Sequence, residues 1–480
     1  MMDALSGIGS QILVKGQFVA LVYFLGVNLW YLVLLLSSLL EMRRHLLLIA
    51  DESRHLLLSS TLSPTISILA PAFNEESTIE ASLKALLALQ YPRLEVIVIS
   101  DGSKDQTVQV LIDRFNLVPV KTIYEQRIKT KPVRTLYRSS MYPALVVVDK
   151  ENGGKADALN VGLSFAQSEL VCAMDADTII EADGLQRMVR PFLYATDVVA
   201  TGGTIRVVNG SEVKLGRVVR TRVPTHALAG MQVVEYLRAF LFGRLGWNRL
   251  GGNIIISGAF GLFRREAVLN AGGYLHDTVG EDMELVLRLK RLSYEKGGPG
   301  KIAFVPDPVA WTEVPESLKI LGRQRDRWHR GLADVLWRHR RMLFNPRYGV
   351  TGLFVFPYYA FVELLAPALE AVGLISLAFG LIFRVIDWNL AALFYLTAYG
   401  LGTALTAFTL ILEDLSFHRY ETFRDRALLF WWALLENLGY RQMTVYWRLR
   451  GLWKFLRGRK EWGVMERKGF RPLAAPTAGT

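Results

Sequence analysis

An α/β domain with a mostly parallel sheet, set among membrane-spanning helices, is the fold class that the sequence predicts. Three observations carry it. Short β-rich runs alternate with helical stretches between residues 65 and 315. Long charge-poor apolar runs lie on either side of that stretch. The 480 residues are 51% hydrophobic and 21% charged, with a mean hydropathy of +0.25, too apolar for an ordinary soluble enzyme and too charged for a membrane bundle alone. Such length suits roughly two to four domains, and the apolar, aromatic composition excludes a disordered chain. The single cysteine, Cys172, excludes an intramolecular disulfide framework, a CxxC redox site and a cysteine-based zinc cluster. The net charge of +12 suits nucleic acid, anionic headgroups or phosphorylated substrates, and the hydropathy favours the last two.

The first element is the apolar run 18–40. It carries no charge and spans roughly 34 Å as a helix, enough for a hydrocarbon core of about 30 Å. A signal peptide has a shorter core and a small-residue cleavage site, whereas Leu39-Leu40-Glu41 follows here, so a retained transmembrane helix is expected. Arg43, Arg44 and Arg54 lie on its C-terminal side against Lys15 on the other, which places the following residues in the cytoplasm.

Next come TISILA (65–70) and EVIVIS (95–100), short β-rich runs around a helical stretch at 77–90. ALVVV (144–148) and LVCAM (170–174) repeat the pattern around 155–166. In parallel α/β sheets ligands bind beyond the carboxyl ends of the strands, which puts Asn74, Asp101, Lys155, Asp175 and Asp177 at one rim. No GxGxxG follows a strand, and GxxxxGK[ST], HExxH and GxSxG are absent. Nicotinamide oxidoreductases, P-loop enzymes and lipase-type hydrolases lose weight accordingly. No internal repeat or low-complexity tract stands out.

A basic amphipathic stretch, 317–344, precedes the second apolar region. There, 353–383 is interrupted by Pro357 and Pro367 and carries Glu363 and Glu370; 390–412 is a clean span; 427–447 is Trp-rich but holds Glu436 and Arg441. Three crossings would put the C-terminus outside, yet the densely basic 448–471 belongs inside. The two arguments agree only if one segment is re-entrant or interfacial. The expected organisation is a transmembrane helix at 1–45, the α/β domain at 46–316, interfacial helices at 317–352, transmembrane or interfacial helices at 353–450, and a basic cytoplasmic tail at 451–480.

Five short motifs carry chemistry. Asp175-Ala176-Asp177 after a strand presents two carboxylates to a hard divalent cation, which could neutralise a diphosphate leaving group; a bare DxD is also a common acidic turn or helix cap. Asp101-Gly102-Ser103 could hydrogen-bond a base or ribose, or be an Asx-turn. Gly153-Gly154-Lys155 puts an ammonium at a helix mouth, where it favours an anion, though a solvated lysine would look the same. Glu281-Asp282 opens a helix, where carboxylates also occur for dipole reasons alone. Gln324-Arg325-Asp326-Arg327-Trp328 lies on the amphipathic stretch. A bilayer surface accounts for its cations but not for that arrangement of Gln, Arg and Trp.

In order, Asp101, Asp175-x-Asp177, Glu281-Asp282 and Gln324-x-x-Arg327-Trp328 resemble the D, DxD, ED, QxxRW signature of membrane-bound family 2 glycosyltransferases. That group includes the hyaluronan, chitin, cellulose and poly-N-acetylglucosamine synthases. SILAPAFNEE (67–76), ENGGKADALN (151–160) and SGAFGLFRREAV (257–268) resemble the same family, so the likeness runs from about 66 to 328. It implies a cytoplasmic GT-A (Rossmann-like) domain, inverting transfer, and an Mg2+ or Mn2+ cofactor. By position it implies that Asp101 and Lys155 contact the nucleotide, with Asn74 and Glu75 near the uridine. Asp177, assisted by Asp175, would anchor the metal-diphosphate; Asp282, beside Glu281, would be the general base; and Gln324, Arg327 and Trp328 would clamp diphosphate and acceptor. A base on the acceptor and charge stabilisation at the leaving group are what sugar transfer needs, and an indole face suits a pyranose ring.

The expected partners are a UDP-sugar, a polysaccharide or lipid acceptor, membrane lipids and export-complex subunits, with no nucleic acid. The expected location is the inner or plasma membrane, multi-pass. ENGGKADALN sits nearer the hyaluronan, chitin and poly-N-acetylglucosamine branch, so UDP-N-acetylglucosamine leads UDP-glucose. Single transfer to a lipid acceptor, or a silent receptor or scaffold, are the alternatives. Cys172 reads as a small buried hydrophobe, His329 as a neighbour of the clamp, and Trp431, Trp432, Trp447 and Trp453 as an interfacial belt.

Overall fold

The computed structural model describes residues 2–50, 63–121, 124–175, 177–214, 216–298, 300–383 and 388–459. Arg54, Ala176 and the basic residues beyond 459 lie outside that set. The described residues form two compact units: those within 44–224 and 253–314, and those within 2–43, 225–252 and 315–459.

The first unit is built on twelve strands: β1 Ile66–Ala72, β2 Leu94–Asp101, β3 Leu117–Val120, β4 Val133–Ser139, β5 Leu145–Lys150, β6 Leu170–Met174, β7 Ile179–Ile180, β8 Val198–Val207, β9 Glu212–Lys214, β10 Arg217–Arg220, β11 Phe260–Arg264 and β12 Lys301–Thr312. Ten form one sheet in the order β3-β4-β5-β2-β1-β6-β11-β8-β12-β7, and β9 and β10 make a separate antiparallel pair. The centre, β5-β2-β1-β6, is wholly parallel. Following the pairings outward, β3, β8 and β12 run in the same direction as the centre, and β4, β7 and β11 run against it. The sheet is therefore mixed, with parallel strands in the majority.

Burial on both faces explains the composition of the centre. Ile66, Ile68, Val96, Ile97, Val98, Ile99, Leu145, Val147 and Val148 are all buried, and β-branched residues pack well on a pleated surface covered on both sides. The helix Lys155–Phe165 packs Leu159, Val161 and Leu163 against it. Cys172 is fully buried in β6, and burial pushes its thiol well up, so it is a packing residue and not a nucleophile. β12 contains Pro306 and Pro308, and its pairing with β8 shifts register at those positions, where a missing N–H costs least.

The second unit is helical. Met2–Ala50 is one continuous helix, longer than the predicted 18–40. The segment 225–252 contributes helix Ala227–Leu237, a π-helical stretch Arg238–Arg244 and helix Leu245–Arg249. Leu318–Arg338 is an amphipathic helix. Among the described residues, two helices are long and apolar enough to cross a membrane: Leu21–Ile49 and Thr351–Ile382. Pro357 and Pro367 do not break the latter. Pro357 sits between two π-helical stretches, Thr351–Val355 and Tyr358–Glu363, and Pro367 lies in the first turn of Ala366–Ile382, where its lost donor is not required. Residues 427–447 are not one straight span: Leu438 and Gly439 leave helical geometry between Phe423–Leu435 and Arg441–Leu456.

Candidate active site

The sheet unit gathers most of the sequence-predicted residues in loops at the carboxyl ends of β1, β2, β5 and β6. The loop after β1 and the loop after β2 cap each other. Asn74, with φ of 56°, accepts from Lys104 N (2.8 Å) through Oδ1 and donates its own N–H to Ser103 Oγ (3.2 Å). Glu75 N donates to Thr107 Oγ1 (2.8 Å), and the Glu75 carboxylate accepts from Thr78 Oγ1 (2.6 Å). Glu76 N and Gln106 N complete the pairing through Asp105 Oδ2 (3.1 Å) and Glu76 Oε2 (3.0 Å). Asn74 and Glu75 are thus fixed members of one rigid double loop.

Asp101 ends β2, and its carboxylate turns inward. Oδ1 accepts from Gly153 N (2.9 Å) and from Lys150 Nζ (2.5 Å), while Oδ2 accepts from Gly154 N (2.7 Å). Asn152 Nδ2 donates to the Asp101 carbonyl (2.8 Å). Gly102 is required beside it: its φ is +69°, and a Cβ there would lie 2.6 Å from Asn152 N. Lys150 is fully buried and also meets Asp157 Oδ2 at 2.8 Å, and Asp157 accepts from Lys131 N. Two carboxylates therefore share one buried ammonium, and together they set the conformation of Gly153-Gly154 and the mouth of helix Lys155–Phe165. Replacing the cation leaves both anions uncompensated. Lys150→Met is expected to destabilise the fold by about 3–5 kcal/mol, checked by the melting temperature and denaturant midpoint; an unchanged midpoint refutes the compensation.

The residues that converge are Lys155, Asp175 and Asp282, around Gly258. Lys155 Nζ meets Asp175 Oδ1 at 2.5 Å and donates to the Gly258 carbonyl at 3.3 Å. Gly258 N donates to Asp282 Oδ2 (3.0 Å), and Met283 N donates to Asp282 Oδ1 (2.7 Å). A Cβ on Gly258 would stand 3.0 Å from Asp282 Oδ2 and 3.4 Å from Lys155 Nζ, so any larger residue there would press on both charged groups. Burial alone would lower the Lys155 pKa, but Asp175, Glu281 and Asp282 together raise it, and the ammonium stays charged. Lys155 and Asp175 keep 22% and 28% of their side chains exposed, so the cluster remains open to a ligand. Asp177 lies in the turn closed by Thr178 N on the Asp175 carbonyl (3.1 Å). Glu281 is buried in the first turn of Glu281–Glu295.

The approach to Glu281-Asp282 is pinned from the Lys155 helix. Asn160 accepts from Tyr274 N (2.7 Å) and donates to Tyr274 O (2.8 Å), and Arg288 binds the carbonyls of Ala271 and Gly273 while pairing with Glu284 (2.9 Å). Lys150, Asp157, Gly258 and Asn160 were not singled out by sequence reasoning. Lys150 is placed by the sheet: Asp101 and Lys150 are register partners at the ends of neighbouring parallel strands.

Two carboxylates separated by one residue fit Mg2+ or Mn2+, which take one or two protein oxygens and complete their shell with phosphates and waters. Among the described residues no group of three or more His, Cys, Asp or Glu side chains is gathered as a metal cage.

Gln324, Arg327 and Trp328 lie on helix Leu318–Arg338 of the helical unit. Trp328 is 43% exposed, and the Arg325 guanidinium stands 4.5 Å above its ring centroid. Asp326 is buried and held by Arg450 (2.8 Å) and Lys454 (2.6 Å). His329 is buried beside Arg448, and burial followed by that charge pushes it down to about 3, which leaves a neutral ring.

The mixed α/β sheet with its acidic and lysine-bearing loops is shared with solved GT-A glycosyltransferases. The structure of a mannosyltransferase from Pyrobaculum calidifontis, in complex with GDP-Man and Mn2+, superposes with a TM-score of 0.51. The match covers 88% of this chain and 99% of that one at 19% identity. Residues 170–415 match the glycosyl transferase family group 2, and residues 67–270 match glycosyl transferase family 2. The chain belongs to this family of enzymes. Among curated relatives, the poly-β-1,6-N-acetyl-D-glucosamine synthase of Staphylococcus aureus is 32% identical over 276 residues, and that of Staphylococcus epidermidis 30% over 274. Each match covers 57% of this chain and 56% of the relative, so the chain spans little more than half the length of the curated relatives it matches.

Proposed function

We propose that the chain is an inverting, membrane-embedded transferase that moves a sugar from a UDP-sugar to a growing β-linked polysaccharide. UDP-N-acetylglucosamine is the favoured donor and UDP-glucose the next; likeness to the poly-β-1,6-N-acetyl-D-glucosamine synthases supports that order. The observation that carries the reading is the convergence of Lys155, Asp175 and Asp282 on Gly258. It sets a fixed cation, a metal-type carboxylate and a half-buried base within one small space.

In this reading Asp282 takes the proton from the acceptor hydroxyl as that oxygen attacks the anomeric carbon, and Gly258 N and Met283 N hold its carboxylate in place. Asp177 and Asp175 would hold Mg2+ or Mn2+, which supplies positive charge for the departing diphosphate. Lys155 adds a fixed ammonium beside the same carboxylate, and Glu281 raises the local negative charge that keeps it protonated. Asp101, Asn74 and Glu75 shape the donor pocket through the loops they brace. Gln324 and Arg327 contact the diphosphate, and Trp328 offers its indole to the acceptor sugar.

In this reading the protein crosses the inner or plasma membrane more than once, which the two long apolar helices support, and its sheet unit faces the cytoplasm, which the bias of Arg43 and Arg44 over Lys15 supports. The proposed organisation keeps a helix at 1–45, the transferase domain at 46–316 with 225–252 folded into the helical unit, interfacial helices at 317–352 and membrane helices at 353–450 that pass the polymer outward. A donor panel assayed for UDP release in nanodiscs, with product sizing, tests this directly. Long polymer from UDP-N-acetylglucosamine is the expected result; a single-sugar lipid, or no UDP release from any donor, rejects it.

Trp328→Ala is expected to shorten the polymer sharply, since an exposed, well-supported aromatic contact is worth about 1–3 kcal/mol at such a surface. Donor affinity is expected to stay near wild type. Polymer of normal length from the Ala variant rejects the platform role.

A further inference from the structure

Resting on the platform role proposed for Trp328, we infer that Arg325 is a positioning residue whose guanidinium covers one face of the indole and leaves only the other to the acceptor sugar. The guanidinium carbon stands 4.5 Å from the ring centroid, inside cation–π range. Arg325 is 4% exposed and Trp328 43%, so the cation lies on the inner side of the ring. The two residues are three apart on one helix and are neighbours on its surface.

An arginine on a helix surface is ordinarily mobile; this one is held. Arg325 Nη2 donates to Glu235 Oε2 at 2.8 Å and stands 3.5 Å from Tyr440 Oη, while Tyr440 Oη donates to the same Glu235 oxygen at 2.7 Å. Glu235 comes from helix Ala227–Leu237, and Tyr440 follows Gly439, whose φ is 91°. Three segments far apart in sequence thus meet on one guanidinium. Next to it, Asp326 is tied separately to Arg450 and Lys454, so the helix itself does not depend on Arg325 for its anchorage.

The chemistry follows from the geometry. An indole with both faces open can turn about its two side-chain torsions. A planar cation stacked on one face removes that freedom and presents the other as a flat surface. Lysine cannot substitute, because its ammonium is compact, strongly hydrated and has no plane to stack. The fixed face sets the orientation in which a pyranose ring docks.

The test uses the full chain in nanodiscs and a short β-linked N-acetylglucosamine oligosaccharide as probe, bound without donor. Arg325→Lys is expected to weaken oligosaccharide affinity about three- to thirty-fold, the range of a partly desolvated cation–π contact, while UDP affinity stays unchanged. Tyr440→Phe, which removes only the brace hydroxyl, is expected to shift affinity the same way by a smaller factor. A role confined to folding predicts lower melting temperatures with donor and oligosaccharide affected alike, and that result overturns the inference. Unchanged oligosaccharide affinity in folded Arg325→Lys also overturns it. If that variant does not fold, Tyr440→Phe decides by the same criterion. UDP release by the wild type is read separately: oligosaccharide binding without UDP release rejects the transferase reading and leaves the positioning comparison intact, whereas a wild type that binds no oligosaccharide overturns the inference.

Discussion

Asp282→Asn is expected to lower sugar transfer by about 10²–10⁴-fold while UDP affinity stays near wild type. The structure gives the reason for expecting such a clean separation. Asp282 is held by two backbone donors on different oxygens, Gly258 N on Oδ2 and Met283 N on Oδ1; asparagine keeps one of these bonds through its carbonyl oxygen, while its amide nitrogen faces the other donor. The side chain stays tethered by one bond, and the proton acceptor is lost. The measurement is UDP release and product formation beside UDP binding on the same folded sample. If affinity and turnover fall together, Asp282 is a donor ligand and the base lies elsewhere.

Asp177→Asn is expected to abolish measurable turnover and to weaken UDP binding in the presence of Mg2+ or Mn2+. Asp175 already shares an oxygen with Lys155, so the removed carboxylate carries much of the remaining negative charge available to a hard cation. Binding by calorimetry, with and without chelator, separates this from a local folding defect. UDP affinity in the wild type that ignores the chelator would remove the metal from the mechanism.

The parallel centre of the fold was legible because burial on both faces leaves an unmistakable signature. ISILA, EVIVIS, ALVVV and LVCAM are short, β-branched and bounded by polar loops, and each became a strand. The outer strands left weaker traces. Val133–Ser139 holds Arg134 and Arg138 and lies beside the edge strand β3, and Lys301–Thr312 carries two prolines that a propensity rule reads as a stop. The departure of 225–252 from the sheet unit was hidden because its helix, ALAGMQVVEYL, is as apolar as a core helix of either unit.

The site was legible in part for a related reason. Asp175, Asp282 and Lys155 follow strands or open helices, positions where exposed chemistry is expected. Lys150 was passed over because a lysine at a strand end normally reaches water; only the pairing of β2 with β5 places it opposite Asp101. Gly258 offers no side chain to notice, and its value lies in what it lets approach. Arg325 read as one cation of an amphipathic face, and nothing in the sequence brings Glu235 or Tyr440 to it.

The order of strands in the sheet also dictates when it can exist during synthesis. β8 joins the sheet only through β11 and β12, and both are encoded after the helical segment 225–252. On the ribosome, the strands up to β6 can pair as they emerge, but β8 must wait from Val207 until Phe260 has appeared, roughly three to ten seconds at 5–20 residues per second. Through that interval its apolar residues have no sheet partners, while an apolar helix follows them out of the exit tunnel. A nascent chain stalled at residue 255, with 198–207 clear of the exit tunnel but β11 not yet made, is therefore expected to carry a protease-sensitive 198–207, and one stalled well beyond 312 a protected one.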